Sequence, residues 1–129
     1  SEMCADWEYN RLHDRIEKRA IDEMKHAEKL IGRILFLEGT PNVSDLGPIS
    51  IGPDVKVQFE NDRASETGAI KDYNQAIAAC VKHQDNGTRE LLEGILKDEE
   101  EHIDWLEAQL DQIEQMGQQN YMAMQMDSE

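Results

Sequence analysis

The chain has 129 residues, of which 39% are hydrophobic, 32% charged and 5% aromatic, with 8 glycines and 3 prolines. This composition excludes collagen-like, disulfide-rich and proline-rich disordered chains, and it favours one helical domain with a charged surface. The formal net charge is -15 at pH 7. Because such a chain repels phosphate backbones, nucleic-acid binding is disfavoured, and metal cations or cationic partners are the better candidates.

Neither a secretory signal nor a membrane-spanning segment is expected. Residues 1–6 carry acids and no apolar run, unlike a signal peptide. The longest apolar stretches, 34–37 and 76–81, are too short to cross a bilayer. Cys4 and Cys80 cannot build a disulfide framework, which favours reduced thiols. These features predict a cytoplasmic protein that does not bind a membrane.

Apolar residues recur at steps of three and four on either side of one helix-free segment. All three prolines lie between Pro41 and Pro53, and proline breaks a helix interior. The flanking periodicity predicts three long helices, the third of which has Thr88 as its expected N-cap. The predicted helical segments are residues 1–6 (the end of a helix), 7–37, 54–83, 86–116 and, as a short final helix, 119–126.

The segment 38–53 is long enough to return the chain along a whole helix bundle. About 16 residues extend to roughly 50 Å at ~3.3 Å per residue, and a helix of about 30 residues is about 45 Å long. Loops of this length are unusual in compact domains, and a bundle crossover explains one naturally. We therefore expect an all-α helix bundle that forms a single domain over residues 1–129.

Each predicted long helix carries polar side chains in the middle of its apolar stripe. These are Glu23 and His26 in the first helix, Glu66 in the second, and Glu99 and His102 in the third. Burying several carboxylates together is costly unless a cation balances their charges. Carboxylates with two imidazoles suit iron, manganese or zinc, and the oxygen ligands favour iron or manganese. The stripes therefore predict a metal site in the bundle interior.

The Glu-x-x-His spacing places two ligands on one helix face, one turn apart. Spacing alone is a weak signal in a chain so rich in glutamate, and the position on the buried stripe makes the stronger case. The alternative is that Glu23 and Glu99 are solvated surface acids, which requires the stripes of three helices to be misphased. Four other titratable residues are expected to face solvent: His13, His83, Glu100 and Glu101.

Four stretches of the chain carry a recognisable pattern. They are residues 21–27 (Ile-Asp-Glu-Met-Lys-His-Ala), 34–39 (Ile-Leu-Phe-Leu-Glu-Gly), 99–106 (Glu-Glu-Glu-His-Ile-Asp-Trp-Leu) and 117–121 (Gly-Gln-Gln-Asn-Tyr). Together they resemble bacterioferritin, and the resemblance extends from the first residues to the last. It implies a ferritin-like four-helix subunit with a long crossover and a short fifth helix, assembled from two-fold dimers into a hollow 24-subunit shell.

The resemblance also implies a di-iron ferroxidase centre in each subunit, which oxidises Fe(II) to Fe(III) for storage as ferric mineral. Five residues match the metal-ligand positions: Glu23, His26, Glu66, Glu99 and His102. Glu23 and Glu99 correspond to bridging carboxylates and Glu66 to a terminal one, while each histidine binds one iron.

Ferritin-like di-iron sites take a glutamate from each of two helices and Glu-x-x-His from each of the other two. The sixth ligand, a glutamate, belongs on a first helix of which residues 1–6 match only the end. Glu2 and Glu8 lie too far along the chain to replace it. The resemblance therefore implies that the first helix is largely missing from this chain, through truncation, proteolysis or a split polypeptide. A companion N-terminal segment is then expected to supply the sixth ligand.

Met24 points about 100° away from Glu23 around the helix. It shares a second apolar edge with Ile21, Ala27, Ile31 and Leu35. On an arbitrary helix, this pattern indicates a packing methionine at a subunit contact. The resemblance implies instead that Met24 is an axial ligand of a b-type haem iron, shared by two subunits on a two-fold axis. A small ferredoxin would then donate electrons through the haem to the mineral.

Three functions are open at this point. The resemblance favours a ferroxidase of bacterioferritin type that stores iron. A second function is another di-iron oxidase or peroxidase on the same bundle, such as a rubrerythrin, which would need a cysteine-rich iron module that this sequence lacks. The third is a non-catalytic shell subunit that binds haem and mineral, which the incomplete ligand set favours for the fragment alone.

Overall fold

A computed structural model of the chain describes residues 10–42 and 54–127. Over these residues the chain is all-α, with four helices and no strand, which confirms the predicted fold class. They are α1 (Asn10–Phe36), α2 (Val55–Lys82), α3 (Asn86–Met116) and α4 (Gln118–Asp127). The expected helix end at residues 1–6 and most of the expected crossover, residues 43–53, lie outside the described residues.

The chain divides into two compact units. Unit 1 comprises Ser1–Asn42 and Gln112–Glu129, and unit 2 comprises Val43–Asp111. The single-domain organisation expected from the sequence stays a prediction. Among the described helices, none combines the length and the apolar composition that crossing a membrane requires.

In unit 1, α4 packs against α1. Tyr121 of α4 is completely buried, and Leu12 of α1 and Ile113 are buried as well. Burial raises the pKa of the Tyr121 hydroxyl above its usual range, and the nearby Arg11 guanidinium opposes that shift. At the end of α3, Gly117 adopts φ 83°, a left-handed conformation that glycine adopts without steric cost. Gly117 thereby separates α3 from α4.

The end of α1 needs a glycine for a different reason. The N–H of Gly39 donates a 2.8 Å hydrogen bond to the carbonyl of Ile34. A Cβ atom at position 39 would lie 3.0 Å from Ile34 Cγ2 and 3.3 Å from the Ile34 carbonyl oxygen. Glycine therefore permits the close return of the chain over the last turn of α1.

The start of α3 corrects one expectation from the sequence. The helix begins at Asn86, and the residue that caps it is Asp85 rather than Thr88. The Thr88 N–H donates to Asp85 Oδ1 at 3.1 Å, and the Thr88 hydroxyl donates to Asp85 Oδ2 at 2.5 Å. A carboxylate that accepts from the third helical N–H is the N-cap arrangement. Thr88 thus lies inside the first turn, where its two hydrogen bonds hold the carboxylate of the cap residue Asp85 in place.

Unit 2 buries apolar side chains from both of its helices. Near the start of α2, Phe59 meets Trp105 in the second half of α3, with ring centroids 5.5 Å apart and an interplanar angle of 79°. A contact between the start of α2 and the second half of α3 is expected when the two helices run antiparallel to each other. The other buried apolar residues of this unit are Val55, Cys80, Leu92, Ile95 and Leu106.

Candidate metal-binding residues

On α1, Glu23 and His26 lie one turn apart. His26 Nδ1 is 3.6 Å from Glu23 Oε1, which is the neighbourhood that an i, i+3 spacing creates. The His26 side chain is buried, whereas the Glu23 side chain is 49% exposed. The expectation that both are buried is therefore wrong for Glu23. The physical reason is that Glu23 lies at the edge of the buried stripe. There water hydrates its carboxylate, and a neighbouring cation balances its charge.

That neighbouring cation is Arg19, one turn before Glu23. Arg19 Nη2 contacts Glu23 Oε1, the same oxygen that faces His26. The Arg19 side chain is only 14% exposed. Arg19 was missed from the sequence, although its i, i+4 spacing from Glu23 is the spacing of helical ion pairs.

On α3, Glu99 occupies a core position. Its side chain is 2% exposed, and it falls on the same stripe as the buried residues Ile95 and Leu106. A carboxylate at such a depth costs free energy unless its charge is balanced. The next residue, Glu100, is exposed, as the sequence analysis expects. Helix geometry thus separates one buried acid from its solvated neighbour.

His102, one turn beyond Glu99, is partly buried and stacks on an aromatic ring. Its ring centroid is 6.1 Å from that of Trp105, with the planes within 13° of parallel. Trp105 is itself fixed edge-on against Phe59. Such packing restricts the rotation of an imidazole, which favours a metal ligand because the ring nitrogen must point in one direction. Trp105 is a second residue missed from the sequence, and its i, i+3 spacing from His102 is the signal that identifies it.

Glu66 on α2 is partly buried. Unit 2 therefore carries Glu66, Glu99 and His102, while unit 1 carries Glu23 and His26. Their joint action on one metal centre stays a prediction. Iron and manganese bind carboxylate oxygens and imidazole nitrogens, so these residues fit the two metals that the sequence favours.

The other two histidines and Glu101, the last of the three consecutive glutamates 99–101, also have clear positions. His83 and Glu101 are exposed, as expected. His13 is 3.6 Å from Glu17 and its side chain is a quarter exposed, so the expectation that it faces solvent is only partly met.

Met24 lies on the exposed surface of α1. Its side chain is 63% exposed, and Ile21 and Leu35 on the same edge are exposed too. An exposed thioether on an apolar helix edge is compatible with the haem contact that the resemblance implies. That contact stays a prediction.

The comparison with known proteins gives the family. A model of the ferritin-like domain matches residues 1–116. Over 119 residues the chain is 41% identical to the bacterioferritin of Brucella melitensis, covering 92% of this chain and 74% of that protein. Over 127 residues it is 44% identical to the bacterial ferritin of Synechocystis sp., covering 98% and 81%. The chain belongs to the bacterioferritins of the ferritin-like family.

Membership of the bacterioferritins confirms the resemblance noted from the four sequence stretches. A further relative, the bacterioferritin of Mycobacterium leprae, is 40% identical over 123 residues, covering 95% of this chain and 77% of that protein. The matched region of the family model contains every candidate metal ligand as well as Met24, and it ends before α4. The ferritin-like domain match therefore includes the helices that carry the candidate residues.

Proposed function

We propose that the chain stores iron, and that it acts as a ferroxidase, an Fe(II):oxygen oxidoreductase for which Fe(II) is the substrate. The observation that carries this proposal is the buried carboxylate of Glu99 on the core stripe of α3. A charge at that depth needs a counter-charge, and the names of the chain's relatives, bacterioferritin and bacterial ferritin, point to iron. Family membership and an unusual buried acid thus support the same cargo.

The proposed substrate complex contains two iron ions. Their ligands are Glu23, His26, Glu66, Glu99 and His102. Glu23 and Glu99 act as bridging carboxylates, Glu66 as a terminal one, and each histidine binds one ion. Anionic oxygens attract a triply charged ion more strongly than a doubly charged one. These ligands therefore favour the loss of an electron from Fe(II).

The proposed reaction removes one electron from each of two Fe(II) ions. Dioxygen accepts the two electrons together with two protons and becomes hydrogen peroxide, or peroxide accepts them with two protons and becomes two molecules of water. The Fe(III) products then move to the stored mineral. The net charge of -15 per chain attracts Fe(II). The Asp and Glu side chains that cause this charge also provide carboxylates at which hydrated ferric oxide can nucleate.

Storage further requires an enclosed volume, and we propose that it is a shell of 24 copies built from two-fold dimers. The exposed apolar edge of α1, with Ile21, Met24 and Leu35, supports a contact between copies, because large exposed apolar patches mark interaction surfaces. A b-type haem held by Met24 from each of two subunits fits the same edge. A small ferredoxin is the proposed electron donor for release of the mineral.

The first test follows Fe(II) oxidation by the wild-type chain together with the companion N-terminal segment that we propose supplies the sixth ligand. Protein made anaerobic and loaded with Fe(II) is mixed with oxygenated buffer, and the ferric absorbance is recorded by stopped flow. We expect a fast phase that saturates at about two Fe(II) per subunit, as a di-iron site requires, followed by slow mineral growth. Slow growth alone would identify a non-catalytic shell subunit, and turnover without retained iron would identify another di-iron oxidase or peroxidase.

The haem proposal is tested by the variant Met24→Leu. Leucine has a similar volume to methionine but no sulfur, so we expect the variant to assemble and to lose most of its haem absorbance when expressed with ample haem. Met124→Leu is the matched control, because Met124 is another exposed methionine, on α4, and it should retain the spectrum. Unchanged Soret and α bands in Met24→Leu would rule out Met24 as the haem ligand.

A further inference from the structure

Arg19 holds an oxygen that the proposed function assigns to a metal. Its Nη2 contacts Glu23 Oε1, and the same Oε1 is 3.6 Å from His26 Nδ1. Arginine side chains usually keep the guanidinium in water, yet the Arg19 side chain as a whole is only 14% exposed. The three residues fall on α1 at i, i+4 and i+7, so they share one helix face.

The contact between Arg19 and Glu23 has a consequence for cation binding. A guanidinium stays protonated in proteins, so the positive charge of Arg19 cannot be removed by losing a proton. A bridging carboxylate uses both of its oxygens, and Oε1 of Glu23 is occupied by Arg19. A metal ion that takes this oxygen competes for it with the guanidinium, since two cations at one oxygen repel each other.

We infer that Arg19 is a positioning residue that holds the Glu23 carboxylate in the metal-free protein and gives it up when a metal binds. This inference rests on the proposed function. Binding of the metal then includes the loss of one ion pair, which lowers the affinity of the site. The half-exposed Glu23 side chain leaves room for the exchange, because the carboxylate is reached from solvent. Arg19 thereby favours release of the oxidised ion, which a storage protein needs after each oxidation.

The experiment measures binding of Co²⁺, which does not undergo the oxidation, to the full chain by calorimetry and by its visible absorption. The variant Arg19→Gln has a similar helix preference, but its side chain is shorter and carries no charge. We expect its affinity for Co²⁺ to rise about tenfold, as expected for the loss of one charge-assisted hydrogen bond that competes with the metal. The increase in melting temperature caused by Co²⁺ should also be larger than in the wild type.

Arg33→Gln is the matched control. It removes the same charge from α1, and Arg33 contacts the ring of Phe36, 4.7 Å from the guanidinium carbon. Position 33 is about 15 Å along the helix from Glu23, beyond the screening distance in physiological salt. Its Co²⁺ affinity should therefore stay within about twofold of the wild type.

The results separate the inference from its alternatives. Unchanged or weaker binding in Arg19→Gln would overturn it, as would an equal gain in Arg33→Gln, which would indicate a general charge effect. If circular dichroism shows that Arg19→Gln does not fold, Arg19→Lys is used in its place. The more compact cation of lysine makes a looser ion pair with Glu23, so we expect a smaller gain in Co²⁺ affinity. No gain in affinity would contradict the inference.

A failure of the proposed function has a different signature. If Glu99→Gln binds Co²⁺ as well as the wild type does, the proposed ligand set is wrong, whatever Arg19 does. If the wild type binds Co²⁺, Glu99→Gln does not, and Arg19→Gln shows no gain, the ligand set stands and only the role of Arg19 is refuted.

Discussion

Glu99→Gln is expected to abolish the fast phase of Fe(II) oxidation, with a loss in rate of at least about a hundredfold. Changes outside the ligand set of a metal site already cost roughly 10–100-fold, and this substitution removes an anionic ligand itself. The side chain is 2% exposed, so no water can replace the lost carboxylate without opening the core. Stopped-flow absorbance after anaerobic loading measures the effect.

The same substitution has a second expected effect, of opposite sign, on the metal-free protein. A neutral amide is less costly to bury than a carboxylate, so Glu99→Gln should unfold at the same temperature as the wild type or a higher one. Glu100→Gln is the matched control, because it makes the same change of charge at the adjacent exposed position and should oxidise Fe(II) normally. A fast phase that survives in Glu99→Gln would refute the assignment of Glu99 as a ligand.

Phe59→Ala is expected to cause the largest loss of stability, about 3–5 kcal/mol in the free energy of unfolding. The side chain is almost fully buried, and its edge-on contact with Trp105 adds the gain typical of aromatic pairs. Urea unfolding followed by circular dichroism measures the difference. Val81→Ala, on the exposed surface of the same helix, should change the free energy of unfolding by less than about 0.5 kcal/mol.

The effect of Phe59 should extend to the metal ligand that it supports indirectly. Phe59 holds Trp105, and Trp105 stacks on His102, so removal of the phenyl ring frees the imidazole to rotate. We expect Co²⁺ to bind more weakly to any Phe59 variant that still folds, and Phe59→Leu provides one if the alanine variant does not. A loss of stability with unchanged Co²⁺ affinity would show that the ring of His102 is fixed by other contacts.

The helical character of the chain and the buried positions of His26 and Glu99 could be predicted from the sequence, since both depend on the helical period. The same period places side chains on a face without giving the width of the buried stripe. That is why Glu23, at the edge of the stripe, proved half exposed. Burial at an edge is decided by neighbouring side chains, here the guanidinium of Arg19.

Caps and contacts between helices were harder to predict for a related reason. Asp85 and Thr88 are both good N-cap residues three positions apart, so composition alone cannot choose between them. The choice depends on where the preceding helix α2 ends, with Gln84 at φ 58° turning the chain. The pairing of Phe59 with Trp105 depends on how far one helix is shifted along the other, which a one-dimensional pattern does not contain.

The buried thiol of Cys80 makes the end of α2 observable in solution. Cys80 is a free cysteine in the last turns of that helix, and an alkylating reagent reaches its sulfur only when the segment opens transiently. The rate of alkylation at this residue, read by mass spectrometry of the peptide that contains it, therefore reports the free energy of that local opening. The native Cys80 side chain thus serves as a probe of local opening in unit 2, and no label has to be introduced into its core.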